Sequence, residues 1–341
     1  MYDKRTGNNY RKVHVLCKKA CTFLNNRRNG LKTQKEFSIV GNRKSKSIVE
    51  KTAQVIFTIC AFMAVMAVAS ITIYMIMKGT PALFEVGIKE ILFGTVWKPS
   101  AKEPSFGILY VILTSIVGTT MAIIIGVPIG ILTAVFLAEV APKKLASIVK
   151  PAVELLAGIP SVIYGLLGIL LLNPLMYKLE KIIFAGSETH QYTGGSNLIS
   201  AVFVLAIMIL PTVINISESA IKAVPEHLKS ASLALGASHI QTIFKVIIPA
   251  AKSGIISAVV LGVGRAIGEA MAITLVSGSS VNVPLPFNSV RFLTTAIVSE
   301  MGYASGTHRE VLFTIGLVLF VFIMIINVSL TKILKSAENK D

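Results

Sequence analysis

The sequence predicts an all-α polytopic membrane protein with six transmembrane helices, and three observations lead there. The 341 residues are 53% hydrophobic and only 15% charged. The apolar residues come in long blocks instead of amphipathic periods, and a run of roughly 18 or more residues with few or no charges is long enough to cross a bilayer. Six such blocks occur, at about 53–77, 108–138, 152–173, 198–217, 254–276 and 311–331. Third, the charge is lopsided: residues 1–52 hold 14 of the 33 Lys and Arg against three acids. Positively charged segments stay in the cytoplasm, so this tail places the N-terminus inside. With the loops assigned alternately, inside segments carry 24 basic residues and outside segments eight, Arg265 being the remaining one. The C-terminus then lies inside too.

The chain is thus expected to comprise a basic cytoplasmic tail (1–52), a transmembrane domain (53–335) with a long cytoplasmic loop (218–253), and a short cytoplasmic tail (336–341). The net charge of +16 invites a nucleic-acid reading. The tail lacks the aromatic interleaving of a nucleic-acid module, so its expected partner is anionic membrane lipid, with no nucleic acid. No cleavable leader is evident, because the first apolar block lies far from Met1 and continues into a full span. Cys17, Cys21 and Cys60 are too few for a disulfide framework. His14 with Cys17 and Cys21 lacks a fourth ligand, and no metal site is expected.

The first block runs uncharged to Met77 and is expected to stop at Lys78-Gly79-Thr80-Pro81. Trp97, alone of its kind, follows in an outside segment and suits the headgroup belt. The second block has 31 uncharged residues, which as straight helix measures about 46 Å against a hydrocarbon core of about 30 Å. Pro128 supplies a bend there, and Gly126 and Gly130, four apart, offer a close-packing face. In the third block Glu154 near the inner end is either a partly solvated acid or a pathway residue. Gly158-Ile159-Pro160-Ser161 thins that helix and frees a backbone carbonyl, which membrane proteins tolerate where a neighbour or a water-lined path satisfies it. The fourth block contains Pro211 and reads as apolar filling.

The loop after it predicts a short helix through 227–235 started by Pro225 and Glu226, a left-handed cap at Gly236, and a second helix over 239–248 halted before Pro249. Leu233, Leu235 and Ile240 give this knob an apolar side that a partner protein is expected to cover. The fifth block carries Arg265 near mid-depth and Glu269 one turn on, on the same helix face. Each such charge costs about 2.5–3.5 kcal/mol at the bilayer centre. An internal ion pair would reduce that cost. It does not explain why the pair is there, which favours a role lining a passage. Ser277 to Asn282 form a hydroxyl-rich outer loop, and the sixth block is packing material.

Ser230-Ala231-Ser232, Gly236, Val246, Ile248 and Pro249 resemble the cytoplasmic signature of ABC-importer permeases, in which Glu-Ala-Ala, three residues, Gly and nine residues precede Ile-x-Leu-Pro. Ser230 stands where that pattern has Glu, and Ser232 where it has the second Ala. The runs Glu154-Leu155-Leu156-Ala157-Gly158-Ile159-Pro160-Ser161-Val162-Ile163-Tyr164-Gly165 and Gly262-Val263-Gly264-Arg265-Ala266-Ile267-Gly268-Glu269-Ala270-Met271-Ala272 resemble the phosphate-importer permeases, specifically the C-type subunit of the Pst system. The likeness covers about 53–335. It implies a type I ABC importer permease fold in a bacterial cytoplasmic membrane, beside a second related permease, an ABC ATPase dimer at the loop and an extracellular phosphate-binding protein. It also implies a phosphate pathway with Arg265, Glu269, Glu154 and Ser161 as candidate lining residues, and ATPase docking through the seven signature positions. No Gly-x-x-x-x-Gly-Lys-Ser/Thr run occurs in the sequence, so ATP is expected to be bound and hydrolysed by the partner subunit, with no cofactor and no enzymatic activity on this chain. The alternatives are a permease for sulfate or molybdate, an autonomous ion-coupled carrier using Arg265 and Glu269, and a membrane scaffold or phosphate-status sensor.

Overall fold

The computed structural model describes residues 43–186 and 190–338. Most of the basic tail, with His14, Cys17 and Cys21, lies outside the described residues. Residues 1–70 and 71–341 form two units. In the first, the described residues belong to helix α1 (Arg43–Ala82), with Cys60 free and exposed. Among the described residues none of the most apolar stretch of the span it opens is buried, in keeping with a helix apolar all round that crosses a membrane.

The expected stop at Lys78–Pro81 is overrun. The helix passes through Pro81, widens into a π turn at Leu83–Gly87, and resumes as α2 (Ile88–Phe93) after Gly87, whose φ is +97°. Next to the proline the helix is tied to the last span, the Thr314 hydroxyl donating to the Gly79 carbonyl at 2.7 Å. Gly79 also brings the two backbones together, since a Cβ there would sit 3.0 Å from the Thr314 nitrogen.

A two-residue ribbon follows, β1 (Trp97–Lys98) against β2 (Ser105–Phe106). It leads into α3 (Leu109–Val135), which continues as a π turn at Phe136–Val140. Pro128 lies inside α3 without ending it. After α4 (Lys143–Gly158) come α5 (Ser161–Leu167), a π turn at Gly168–Leu172 and α6 (Asn173–Ile183). Helix α7 (Leu198–Lys222) is capped by the Asn197 side chain, which accepts the Ser200 N–H at 3.0 Å. The knob is α8 (Glu226–Ala234), α9 (His239–Thr242), a π turn at Ile243–Ile247 and α10 (Ile248–Ala250). The chain ends through α11 (Lys252–Gly268), α12 (Met271–Val276), α13 (Leu293–Glu300) and α14 (Gly306–Glu338).

Among the described residues five helices are long and apolar enough to cross a membrane, and six if His239–Ala250 and Lys252–Gly268, bent by 69°, count as one span. The fold class therefore matches the sequence, while two span boundaries need correction. The third span is Ser161–Ile183 instead of 152–173, because the chain breaks at Ile159-Pro160 and Glu154 belongs to the preceding helix α4. The block 254–276 is two helices, broken at Glu269-Ala270.

Helices α3 and α7 form the centre, and their small residues set the spacing. A Cβ at Gly126 would meet Ile209 at 2.7 Å, and one at Gly130 would meet Val213 at 2.8 Å, as the four-residue glycine spacing predicts. Helix α11 lies on the next face of α7, Gly262 against Val213 and Gly254 against Ala220. The short helices beyond the two breaks pack on each other: Gly165 of α5 faces Ala272 and Leu275 of α12. We expect Gly165→Leu to lower stability by about 1–3 kcal/mol through overpacking. Gly158→Ala, where a Cβ meets nothing within 4 Å, should leave the unfolding temperature of the detergent-solubilised protein unchanged.

Candidate functional site

Two regions gather the residues that the sequence singles out: the paired helix breaks and the knob. At the first break Pro160 offers no N–H and the backbone turns extended at Ile159 and Pro160. The freed Leu156 carbonyl accepts the Tyr164 hydroxyl at 2.7 Å, so one side chain spans the gap. At the second break the Glu269 backbone is extended, and its carboxylate accepts the Ala272 N–H at 2.9 Å, capping the start of α12. The Glu269 carbonyl accepts the Thr294 hydroxyl at 2.6 Å.

The alternative of an internal Arg265–Glu269 ion pair is not realised. The helix ends at Gly268, and Glu269, buried, is committed to backbone and to a cavity of about 10 Å³ beside Ser115, Thr119 and Thr294. Arg265 is half-buried and donates to the Thr212 hydroxyl of α7 at 3.4 Å. Among the described residues Arg265 has no carboxylate partner. Ser161 is half-buried at the first turn after its break, and Glu154 is exposed on α4. The structure brings Arg265 to Thr212, while Glu154 lies on the helix before the Pro160 break and Ser161 on the helix after it. Thr212, beside Arg265, and Tyr164, across the first break, were not singled out for these roles, because a lone hydroxyl in an apolar helix carries no pattern in one dimension.

The knob follows its sequence signals up to its second half. Gly236 adopts φ +85°, as its position after the first helix requires. Pro249 does not halt the second helix, which continues to Ala250: the wide turn at Ile243–Ile247 precedes the proline and absorbs its missing donor. Ser230 and Ala231 are exposed, whereas Ser232 points inward and shares a hydrogen bond with the Thr242 hydroxyl at 3.0 Å. The serine in place of alanine therefore closes the knob on itself. Val246 and Ile248 are half-buried, and Pro249 is exposed. Leu235 is 90% exposed, Ile240 69% and Phe244 55%, an apolar ridge that no other described residue covers.

Buried charges elsewhere are structural clasps that pairwise sequence patterns do not reveal. Glu300 receives the Trp97 indole N–H at 3.2 Å, the Arg291 guanidinium, and His308 at 2.8 Å. Trp97 is thus held by a carboxylate 203 residues away, beyond any role at the headgroups. Glu180 gathers His190 and the Thr193 amide, and Glu218 pairs with Lys150 and Lys222. Lys229 of α8 pairs with Glu139 at 2.5 Å, which pushes the Lys229 pKa up from its ordinary value.

If Glu269 acts as a cap, Glu269→Gln, which keeps the acceptor oxygen, should unfold at the temperature of the unaltered protein. Glu269→Ala should lose about 1 kcal/mol in the same thermal measurement.

Known proteins resemble this chain over most of its length. The model of the family described as binding-protein-dependent transport system inner membrane component matches residues 126–337, which include both breaks and the knob. The probable ABC transporter permease protein YqgH of Bacillus subtilis (strain 168) is 36% identical over 313 residues, covering 89% of this chain and 97% of that protein. The phosphate transport system permease protein PstC of Xylella fastidiosa (strain 9a5c) is 32% identical over 298 residues, covering 84% of this chain and 91% of that one. A chain in the crystal structure of a bacterial alginate ABC transporter, in complex with an alginate pentasaccharide-bound periplasmic protein, shares the fold with a TM-score of 0.58 at 16% identity, over 84% of this chain and 94% of that chain. With its multi-pass architecture, helix breaks and knob, the chain belongs to the inner membrane component family of binding-protein-dependent transport systems, the permeases of ABC importers.

Proposed function

We propose that this chain is a permease subunit of an ATP-driven importer of inorganic phosphate and forms half of the passage into the cytoplasm. The observation that carries this reading is Arg265, a guanidinium inside a membrane span with a hydroxyl partner and no carboxylate among the described residues. A charge at that depth is costly unless it faces a polar route or a ligand. A guanidinium matches the geometry of a phosphate oxygen pair, and the phosphate permease named above supports that cargo.

The rest of the assembly follows from the same family. An ABC ATPase dimer docks on the Leu235, Ile240 and Phe244 ridge and binds the ATP, so this chain needs no cofactor and performs no hydrolysis. A second related permease completes the passage, and an extracellular phosphate-binding protein delivers the anion. Both termini lie in the cytoplasm of a bacterial cell. Movement of the knob shifts the broken spans, and Arg265 offers a fixed positive charge to the passing anion. Its hold must be weak, or the anion would not leave. Ser161 lies at the other break, where its hydroxyl can serve the same route, while Glu269 supports that route by capping α12 and Glu154 borders it from α4.

Arg265→Ala should reduce phosphate uptake by at least about tenfold, as loss of a hydrogen bond to a charged group does. The assembled complex should still be recovered, and wild-type uptake by that complex would remove Arg265 from the route. Leu235→Glu should weaken ATPase retention in the membrane fraction by about tenfold or more, the cost of losing a central apolar anchor. Normal retention would place the docking surface elsewhere.

A further inference from the structure

The Glu139–Lys229 pair belongs neither to the surroundings of Arg265 nor to the exposed ridge of the knob, and it joins residues 90 apart in the sequence. Lys229 sits on the inward face of α8, three residues before Ser232, which ties that helix to Thr242. Glu139 lies in the π turn that ends the span begun by α3. The two side chains are only 24% and 9% exposed, so water screens the contact weakly.

Beside the pair runs an apolar seam in which Ala134 and Val135 of α3 meet Ile221 of α7 and Ile243 and Ile247 of the knob. Apolar contact is non-directional and lets surfaces slide, whereas a short ion pair fixes one register. A cavity of about 160 Å³, lined by Glu139, Lys222, Glu226 and Lys229, adjoins the pair. The seam therefore has room on that side, and the pair is what closes it. A π turn in a membrane helix is also a common mark of a functional position.

We propose that Glu139 and Lys229 are positioning residues that lock the docking knob to the end of the 109–140 span. A push delivered to the knob then passes into α3, through its close contact with α7 at Gly126 and Gly130, to the helix that holds Arg265. Without the pair the knob slides on its apolar seam and the push is dissipated. This role rests on the permease reading above, and it adds where the mechanical signal enters the membrane.

The test uses the complete importer complex in lipid vesicles, with inorganic phosphate and ATP, comparing the unaltered chain, Glu139→Gln, Lys229→Met and the exchanged pair Glu139→Lys with Lys229→Glu. ATPase retention, ATP hydrolysis and phosphate uptake are measured together. Each single variant should hydrolyse ATP yet import about tenfold less phosphate per ATP, the size of a typical coupling between sites. The exchanged pair should recover most of that ratio. Unchanged ratios in the single variants, beside normal uptake by the unaltered complex, would overturn the coupling role alone. Absence of phosphate uptake by the unaltered complex would overturn the phosphate reading and this role with it. Where a single variant fails to retain the ATPase, the exchanged pair decides: restored assembly and ratio support the lock, and no restoration refutes it.

Discussion

A helix broken inside a membrane leaves carbonyl and amide groups where there is no water to bond them, and that constraint organises this protein. Each break has its own remedy: Tyr164 reaches back to the Leu156 carbonyl, and Glu269 reaches forward to the Ala272 amide. Because α5 and α12 also pack on each other, the two repairs support one another. Between them a single guanidinium remains without a carboxylate among the described residues. At each break a side chain of the same chain takes up one backbone group, and the Arg265 guanidinium is spent on neither, its partner being the Thr212 hydroxyl.

The knob solves a different problem. Its outer side keeps Leu235 almost fully exposed, and its inner side is closed by the Ser232–Thr242 contact and by the seam of Ile243 and Ile247 against α3 and α7. A rigid body with one apolar face outward is what a moving partner can grip without deforming it. The π turns at Phe136–Val140 and Ile243–Ile247 lie on the two sides of that joint. Each adds a residue to its turn, which re-aims the side chains that follow, and the second leaves Pro249 in the first turn of the next helical segment.

Much of the fold was legible in one dimension because lipid imposes a strong rule: roughly 20 apolar residues in a row must span. Gly126, Gly130 and Gly236 were legible for similar reasons, each being a position where a missing side chain or a left-handed backbone leaves a local trace. The breaks were not located correctly. Gly158-Ile159-Pro160 advertised one and was read as thinning within a span; Gly268-Glu269-Ala270 contains no proline, and its apolar surroundings read as continuous helix. The stop expected at Pro81 and the halt expected at Pro249 failed for the converse reason: a proline can lie inside a helix that runs on, and after the wide turn at Ile243–Ile247 Pro249 stands in the first turn of the next helical segment, where its missing donor is not needed.

By itself the sequence determined the class, the order of the spans, the knob and the presence of an intramembrane charge, since these depend on composition and local spacing. The tertiary structure alone decided which polar groups meet: Thr212 on Arg265, Tyr164 on the Leu156 carbonyl, Glu269 turned to the backbone, and Lys229 set on Glu139. The reason is that a helix break of only two residues redirects everything beyond it. Contacts between distant segments follow from that redirection and from packing, and spacing along the chain carries neither.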